Sequence, residues 1–414
     1  MGRSLSLLRR NPDFRRLFIA QLVVFGGDWF VMIPLLALLT RLTGGGFWGG
    51  VVLSVDTSVV ALLLPYAGTL ADRLDRRKIL IIANLASVAA ALSLLLVRSQ
   101  ATIWVAVVGI VAIASAKAMY SPAAQAALPN MVDPEDLAAA NAVAGSAWGT
   151  MLVVGASLGG LVAGLLGAYL SFGIGAGCLA LAAMITLRVR RPLQTERTGV
   201  RPTPAWPALR EALSHIGAHS QVRALVTVKS AVGFGNGVLA AFPVLATTVF
   251  GMGATGMGLL YGARGLGALV GPMLLRGVLT TPQRLLPGLA ISMASYGACY
   301  MLVGVAPWFW LVLALVVVAH LSGGGNWVMS NYALQTVVPD ALRGRIFAAD
   351  MMIAMVAVSI SQALAGALTD RLGPQLVIIG CGAVTFTYAV IWRLATRGLL
   401  RQPVGSSESA PSPV

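Results

Sequence analysis

The 414-residue chain is 57% hydrophobic and only 10% charged, with a formal net charge of +15. Water-soluble domains carry about a quarter charged residues, so this composition excludes a soluble domain and places the chain in a bilayer. The basic excess raises nucleic acid as a partner, and where the basic residues fall decides against it.

Apolar runs of about 20 residues suffice for a helix rising 1.5 Å per residue to cross about 30 Å of hydrocarbon. Backbone groups in lipid must satisfy one another, and unbroken apolar runs lack the alternation of a barrel, so the expected architecture is all-helical. Twelve spans are predicted, at 14–40, 47–71, 78–98, 101–125, 137–166, 168–188, 222–250, 255–277, 284–304, 307–336, 344–368 and 372–394. With the N-terminus inside, the cytoplasmic segments hold the clusters Arg3 to Arg16, Arg73 to Lys78 and Arg188 to Arg223. They also hold Arg276, Arg284, Arg343, Arg345, Arg393, Arg397 and Arg401. Only Arg41, Arg98 and Arg371 fall on the opposite side. That imbalance follows the positive-inside rule, puts both termini in the cytoplasm and turns the excess charge toward lipid headgroups.

In chain order, Asn11-Pro12-Asp13-Phe14-Arg15-Arg16 opens span 1, with Pro12 suited to a first helical turn. The apolar run that follows is too long for a signal-peptide core, so span 1 is expected to be retained. Asp28 falls in its middle, and Gly44 to Gly46 make an external turn before the interfacial anchors Phe47 and Trp48. Span 2 carries Asp56 and ends in Leu64-Pro65-Tyr66-Ala67-Gly68-Thr69-Leu70-Ala71-Asp72-Arg73-Leu74-Asp75-Arg76-Arg77-Lys78, a tight polar hinge between two apolar runs. Pro122 to Asn141 after span 4 is mirrored by Leu334 to Arg345 after span 10: Pro129 and Pro339 correspond, as do Gly160 and Gly167 with Gly366 and Gly373. The chain therefore reads as a duplication of two six-span halves.

The expected boundaries are a six-helix bundle over 1–188, a cytoplasmic connector over 189–221, a second bundle over 222–395 and a disordered tail over 396–414. The connector is basic and rich in proline, and Leu209, Leu213 and Ile216 give it an apolar stripe for a surface helix. Cys178, Cys299 and Cys381 sit inside apolar runs and read as small buried hydrophobes.

The Gly68 to Arg77 stretch resembles the loop between the second and third spans of major facilitator superfamily transporters, on Gly68, Leu70, Ala71, Asp72, Arg73, Arg76 and Arg77. The resemblance implies that this loop is a gate, holding two bundles together on the cytoplasmic side in the outward-open state. The Asn11 opening, Gly27-Asp28-Trp29, the Pro122 to Asn141 stretch and Val338-Pro339-Asp340 with Arg343-Gly344-Arg345 are similar to the bacterial branch containing the enterobactin exporter and macrolide efflux proteins. This implies a fold of twelve transmembrane helices in two pseudo-symmetric six-helix bundles, working by alternating access. It further implies proton-driven export of a small amphipathic molecule, a drug-like compound or a siderophore, from the bacterial inner membrane. The rival functions are a lysophospholipid flippase or an importer of the same fold and, further off, a membrane sensor that transports nothing. Gly155-Ala156-Ser157-Leu158-Gly159-Gly160 resembles the antiporter motif of drug exporters, but Ala156 replaces its proline, and close helix packing explains the glycines equally well.

A charge deep in the bilayer is costly and is by default a functional candidate. Asp28 lies about 11 residues past one edge of span 1 and Asp56 about 9 past the edge of span 2, within a few Å of the midplane. Both are predicted as proton or cationic-substrate sites, beside the plain alternative of hydrogen-bonded packing residues. Lys117, Lys229 and Asp350 read as structural charges away from the midplane, with Lys229 pairing Asp350. Arg264 sits too deep to snorkel easily and suits an anionic substrate group or an acid from span 1 or 2. His320 reads first as a neutral hydrogen-bonded histidine and second as a proton relay. Asn236, Asn326 and Asn331 either line a cavity or bond between helices. Trp29, Met32, Met119, Tyr261 and Met352 would suit an adaptable apolar cavity.

His215 and His219 have the i, i+4 spacing of metal ligands but no third ligand nearby, so no metal is expected. No phosphate-binding glycine loop with its lysine, and no nucleophile with partners, appears; neither an enzyme nor a cofactor is expected. The expected partners are a small-molecule substrate, protons and membrane lipids, with no nucleic acid, around a monomer.

Overall fold

The computed structural model describes residues 2–194, 205–274 and 282–398. The short helix α1 (Gly2–Arg10), absent from the sequence prediction, precedes the first span. Then come α2 (Pro12–Thr43), α3 (Phe47–Arg73), α4 (Arg76–Ser93), α5 (Ile103–Met131), α6 (Leu137–Leu166) and α7 (Ala168–Leu187). The connector contributes α8 (Ala205–Ala218). The second half has α9 (Ser220–Gly235), α10 (Val238–Val244), α11 (Gly253–Leu274), α12 (Pro282–Val305), α13 (Phe309–Val337), α14 (Asp340–Leu372) and α15 (Pro374–Ala395). Among the described residues 11 spans are long and apolar enough to cross a membrane. The twelfth is α11, whose repeated glycines and Arg264 dilute its apolar character without shortening its 22 residues.

Local chemistry sets the helix ends. Asn11 caps α2 by accepting from the Phe14 N–H at 2.9 Å, with Pro12 at the first helical turn. Asp75 caps α4 through the Arg77 and Lys78 N–H groups at 2.8 and 3.2 Å, so the hinge between α3 and α4 is two residues of extended chain. Single glycines join α6 to α7 and α14 to α15: Gly167 at φ 85 and ψ 165, Gly373 at φ 80 and ψ 157. That conformation is open only to glycine, and its recurrence at matched positions repeats the duplication in the backbone.

Span 7, predicted as one helix over 222–250, is instead broken. α9 stops at Gly235, α10 resumes at Val238, and a five-residue π turn, Leu245–Val249, closes the segment. Pro243 inside α10 cannot donate to the ladder, which favours such irregularity. The tail from Gln402 and the connector over 195–204 lie outside the described residues.

Within each half the helices pack as a bundle, α2 against α6 and α7, α3 and α4 against α5, α12 against α13 and α15, and α9 against α14. Two seams join the halves, α6 with α11 and α3 with α14. Each brings two glycine backbones into direct contact. A methyl added to Gly160 would lie 2.5 Å from the Gly258 α-carbon, and one added to Gly50 would lie 2.6 Å from that of Gly366. Gly160 and Gly366 are the duplicated pair named above, so both halves use one equivalent glycine to reach the other.

Candidate functional site

α3 and α14 run antiparallel along their seam. Gly46 meets Asp370, Gly50 meets Gly366, Ser54 Oγ lies 2.8 Å from Ser359 Oγ, and Thr57 Oγ1 donates to Gln362 Oε1 at 3.1 Å. Ser58 also reaches Ser359. All of these hydrogen bonds between α3 and α14 lie between Gly46 and Ser58, in the first half of α3. Past Ser58, Leu62, Tyr66 and Leu70 of α3 are exposed. The halves are thus knit together at the end where α3 begins, opposite the end where α2 begins.

Asp56 projects from α3 at the middle of this arrangement. Lys117 Nζ donates to its two oxygens at 2.9 and 3.3 Å. The side chains are 18% and 26% exposed, so the pair is reachable and not sealed in a core. This corrects the expectation that Lys117 lies away from the midplane: it stands near the middle of the 29-residue α5 and belongs to the same cluster as Asp56. Asp28, part-exposed on α2, lies within electrostatic reach of both Lys117 and Asp56 and forms no hydrogen bond or ion pair among the described residues. Two carboxylates therefore share one lysine. Lys117 balances one of the charges, and the second is left for a proton or a cationic group. Tyr120, one turn from Lys117, is buried with its hydroxyl unpartnered and within reach of Asp28.

The facing half presents a different surface. Trp29, beside Asp28, meets Tyr261 of α11 with ring centroids 5.6 Å apart, an aromatic contact between the halves. Arg264, one turn along from Tyr261, is part-exposed and forms no ion pair among the described residues. It lies within electrostatic reach of Tyr261, Tyr296, Tyr300 and His320. His320 is 6% exposed, with Nε2 bonded to Tyr300 Oη at 2.7 Å and its ring edge-on to Tyr296. It is held by aromatic neighbours rather than standing open as a relay.

Other candidates take structural places. Lys229 and Asp350 meet as an ion pair, each 1% exposed, and Lys229 also donates to Asn331 Oδ1 at 2.6 Å. Asn331 therefore serves this buried pair and does not line an opening. Asn326 donates to Ser292 Oγ at 2.8 Å and to the Leu289 carbonyl at 3.4 Å, a bond between α13 and α12. Asn236, at the break in span 7, donates to the Val232 carbonyl at 2.8 Å, and its Oδ1 is buried without a partner. Gly155 and Gly159 pack against Trp29, which accounts for the small residues of α6 by helix approach alone. His219 Nδ1 bonds the His215 carbonyl at 2.9 Å with the two rings stacked. Among the described residues no group of three or more His, Cys, Asp or Glu side chains could hold a metal ion.

Two arginines of the loop expected to gate reach the first half and the start of the connector. Arg76 donates to the carbonyls of Ala126 at 2.7 Å and Leu193 at 3.3 Å, and Arg77 to that of Arg191 at 3.3 Å. Arg73 is exposed. The side chain of Asp72, and the surroundings of Gly68, lie outside the described residues.

The sequence profile of the family described as transmembrane secretion effector matches residues 4–412, nearly the full length. The chain belongs to that family. It is 28% identical over 434 residues to the enterobactin exporter of Citrobacter koseri, an alignment covering 99% of this chain and 98% of that one. The enterobactin exporter of Salmonella typhi is 28% identical over 360 residues, covering 83% of this chain and 82% of the relative. In fold it resembles a bacterial homologue of the human lysosomal transporter Spinster, solved inward-facing and unoccupied. That match has a TM-score of 0.72 at 15% identity, covering 94% of this chain and 98% of the other. The nucleoside transporter NupG matches with a TM-score of 0.70 at 16% identity, covering 94% and 100%. The protein is a multi-pass membrane transporter of the major facilitator fold. Two features were not read from the sequence: the Asp56–Lys117 pair, because its members are separated by a whole span, and Asp370, taken up below.

Proposed function

We propose that this protein is a proton-driven exporter of a small amphipathic molecule, a drug-like compound or a siderophore, in the bacterial inner membrane. The observation that carries the reading is the mid-span cluster in which Asp28 and Asp56 share Lys117 while Arg264, in the facing half, forms no ion pair among the described residues. Asp28 is the proton-exchanging acid. Asp56 and Lys117 form the reachable pair beside it that answers its change of charge. Arg264 receives an anionic group of the substrate, and Trp29 and Tyr261 meet its apolar face.

The arginine distribution along the sequence puts the termini in the cytoplasm. The knitted end is then external, and the described state faces inward, the state in which an exporter loads. The domain reading is a bundle over 1–188, a connector over 189–221, a bundle over 222–395 and a tail over 396–414, acting as a monomer. The similarity to enterobactin exporters supports efflux and makes a catecholate siderophore the first substrate to try.

The test uses full-length protein in proteoliposomes under an imposed pH gradient, with enterobactin and cationic drugs as cargo. Gradient-driven cargo movement that is lost in Asp28→Asn and kept in a surface control such as Arg284→Gln, an exposed side chain, supports the reading. Transport at wild-type rates in Asp28→Asn would refute the assignment of the acid, and movement indifferent to the gradient would refute proton coupling.

A further inference from the structure

The N-terminus of α3 begins at Gly46, which has no side chain to cap it, so the first N–H groups of the helix have no acceptor from their own segment. The acceptor comes from the other half. Asp370, at the last turn of α14, takes the Gly46 N–H on Oδ1 at 2.5 Å and the Phe47 N–H on Oδ2 at 3.3 Å. A carboxylate at a helix N-terminus is favoured both as a cap and by the helix dipole. The surroundings are shaped to admit it. A methyl on Gly45 would lie 2.5 Å from Asp370 Oδ1, and one on Gly46 would lie 3.0 Å from the Thr369 side chain.

The cap joins two halves that, in alternating access, must part at this end. It exists only while the end is closed, so its whole free energy is differential between the two states, which is the condition for biasing an equilibrium. The sequence around it repeats a stretch found at the far end of the partner helix: Gly366-Ala367-Leu368-Thr369-Asp370-Arg371 matches Gly68-Thr69-Leu70-Ala71-Asp72-Arg73 at glycine, leucine, aspartate and arginine. Because α3 and α14 are antiparallel, the two copies lie at opposite ends of one seam.

We propose that Asp370 is the latch that holds the external gate shut, capping α3 from the opposite half. Opening that gate requires the carboxylate to leave the Gly46 and Phe47 N–H groups. The second copy of the hexapeptide, around Asp72, acts in the opposite sense. The word external rests on the orientation proposed above, and the latch itself does not.

The experiment needs neither cargo nor a gradient. In full-length protein in detergent, with Cys178, Cys299 and Cys381 replaced by alanine, Leu36→Cys reports opening. Leu36 is 0% exposed and packs beside Gly49 at the seam. Its rate of reaction with a charged maleimide scales with the opened fraction. Asp370→Ala is expected to raise that rate about tenfold, equivalent to about 1.4 kcal/mol, within the range for loss of a cap. Gly45→Ala, which displaces the carboxylate while keeping it, is expected to raise the rate as well, and Asp72→Asn to lower it. Leu179→Cys, buried inside the first half, keeps its rate in every variant. A change under twofold in Asp370→Ala, a matching rise at Leu179→Cys, or no fall in Asp72→Asn would overturn the proposal. Failure here would leave the exporter reading standing, and a transport assay that found no export would leave the latch standing.

Discussion

Replacing Lys229 by methionine removes the cation from one of the most enclosed ion pairs in the protein while keeping most of the side-chain volume. Both members of the Lys229–Asp350 pair are 1% exposed, and one Asp350 oxygen already has no hydrogen-bond partner. Without Lys229 the second oxygen loses its donor and Asn331 Oδ1 loses the bond at 2.6 Å. Breaking a buried pair from one side costs about 3–5 kcal/mol, because a charge is left uncompensated in a low-dielectric interior. The loss at Asn331 adds about 1 kcal/mol. Removing both charges leaves no buried ion, so Lys229→Met with Asp350→Leu is expected to lie within about 1 kcal/mol of the native protein. The measurement is equilibrium unfolding from mixed micelles with increasing dodecyl sulfate, followed by tryptophan fluorescence. A single variant within about 1 kcal/mol of native would refute the account of Lys229 as a structural charge, as would a double variant no more stable than the single one. The same double variant is expected to transport, which separates this pair from the Asp28, Asp56 and Lys117 cluster.

Gly160→Val puts a side chain where 2.5 Å separates a bare methyl from the Gly258 backbone, so the α6–α11 seam cannot close. The expected result is normal membrane insertion with transport reduced at least tenfold, read as cargo flux per inserted molecule. Tyr300→Phe removes the 2.7 Å bond to His320 Nε2 and leaves a buried ring nitrogen without a partner. About 1–3 kcal/mol of stability should be lost in the same unfolding assay, with cargo affinity unchanged. Arg76→Ala removes the donor to the Ala126 carbonyl and one of two donors to the Leu193 carbonyl, Asn130 Nδ2 remaining at 3.0 Å, and amide exchange over 188–194 should accelerate while that of α12 does not.

Most of the helix count was legible because the bilayer enforces it: a run near 20 apolar residues has one stable form in lipid. The exceptions have physical causes. α11 is marginal by apolarity because its glycines were chosen for contact with α6 and α13, and closeness rather than hydrophobicity holds it. Span 7 breaks where Gly235, Asn236 and Gly237 weaken the ladder, yet an apolar average over 222–250 does not register three residues. Asp28 and Asp56 stood out because isolated acids in apolar runs are rare. That Lys117 pairs with Asp56 depends on how α3 and α5 rotate against each other, which no single span encodes. Lys229 and Asp350 could be matched from sequence because both lie near the same end of their spans. Asp370 falls between the predicted spans 344–368 and 372–394, and in the sequence only the recurrence of its hexapeptide marks it.

The break in span 7 has a consequence for how the halves can move. Its upper piece, α10, packs on α14 and α15 of its own half and also touches α2 and α3 of the first, whereas its lower piece, α9, is built into the second half through α13, α14 and α15. A continuous helix clamped at both ends in this way would have to slide or strain as the halves tilted. One creased at Asn236, between Gly235 and Gly237, can bend in place. The crease lets α10 and α9 change their mutual angle while each keeps its own neighbours, so a small tilt costs a few backbone torsions and not a repacked core.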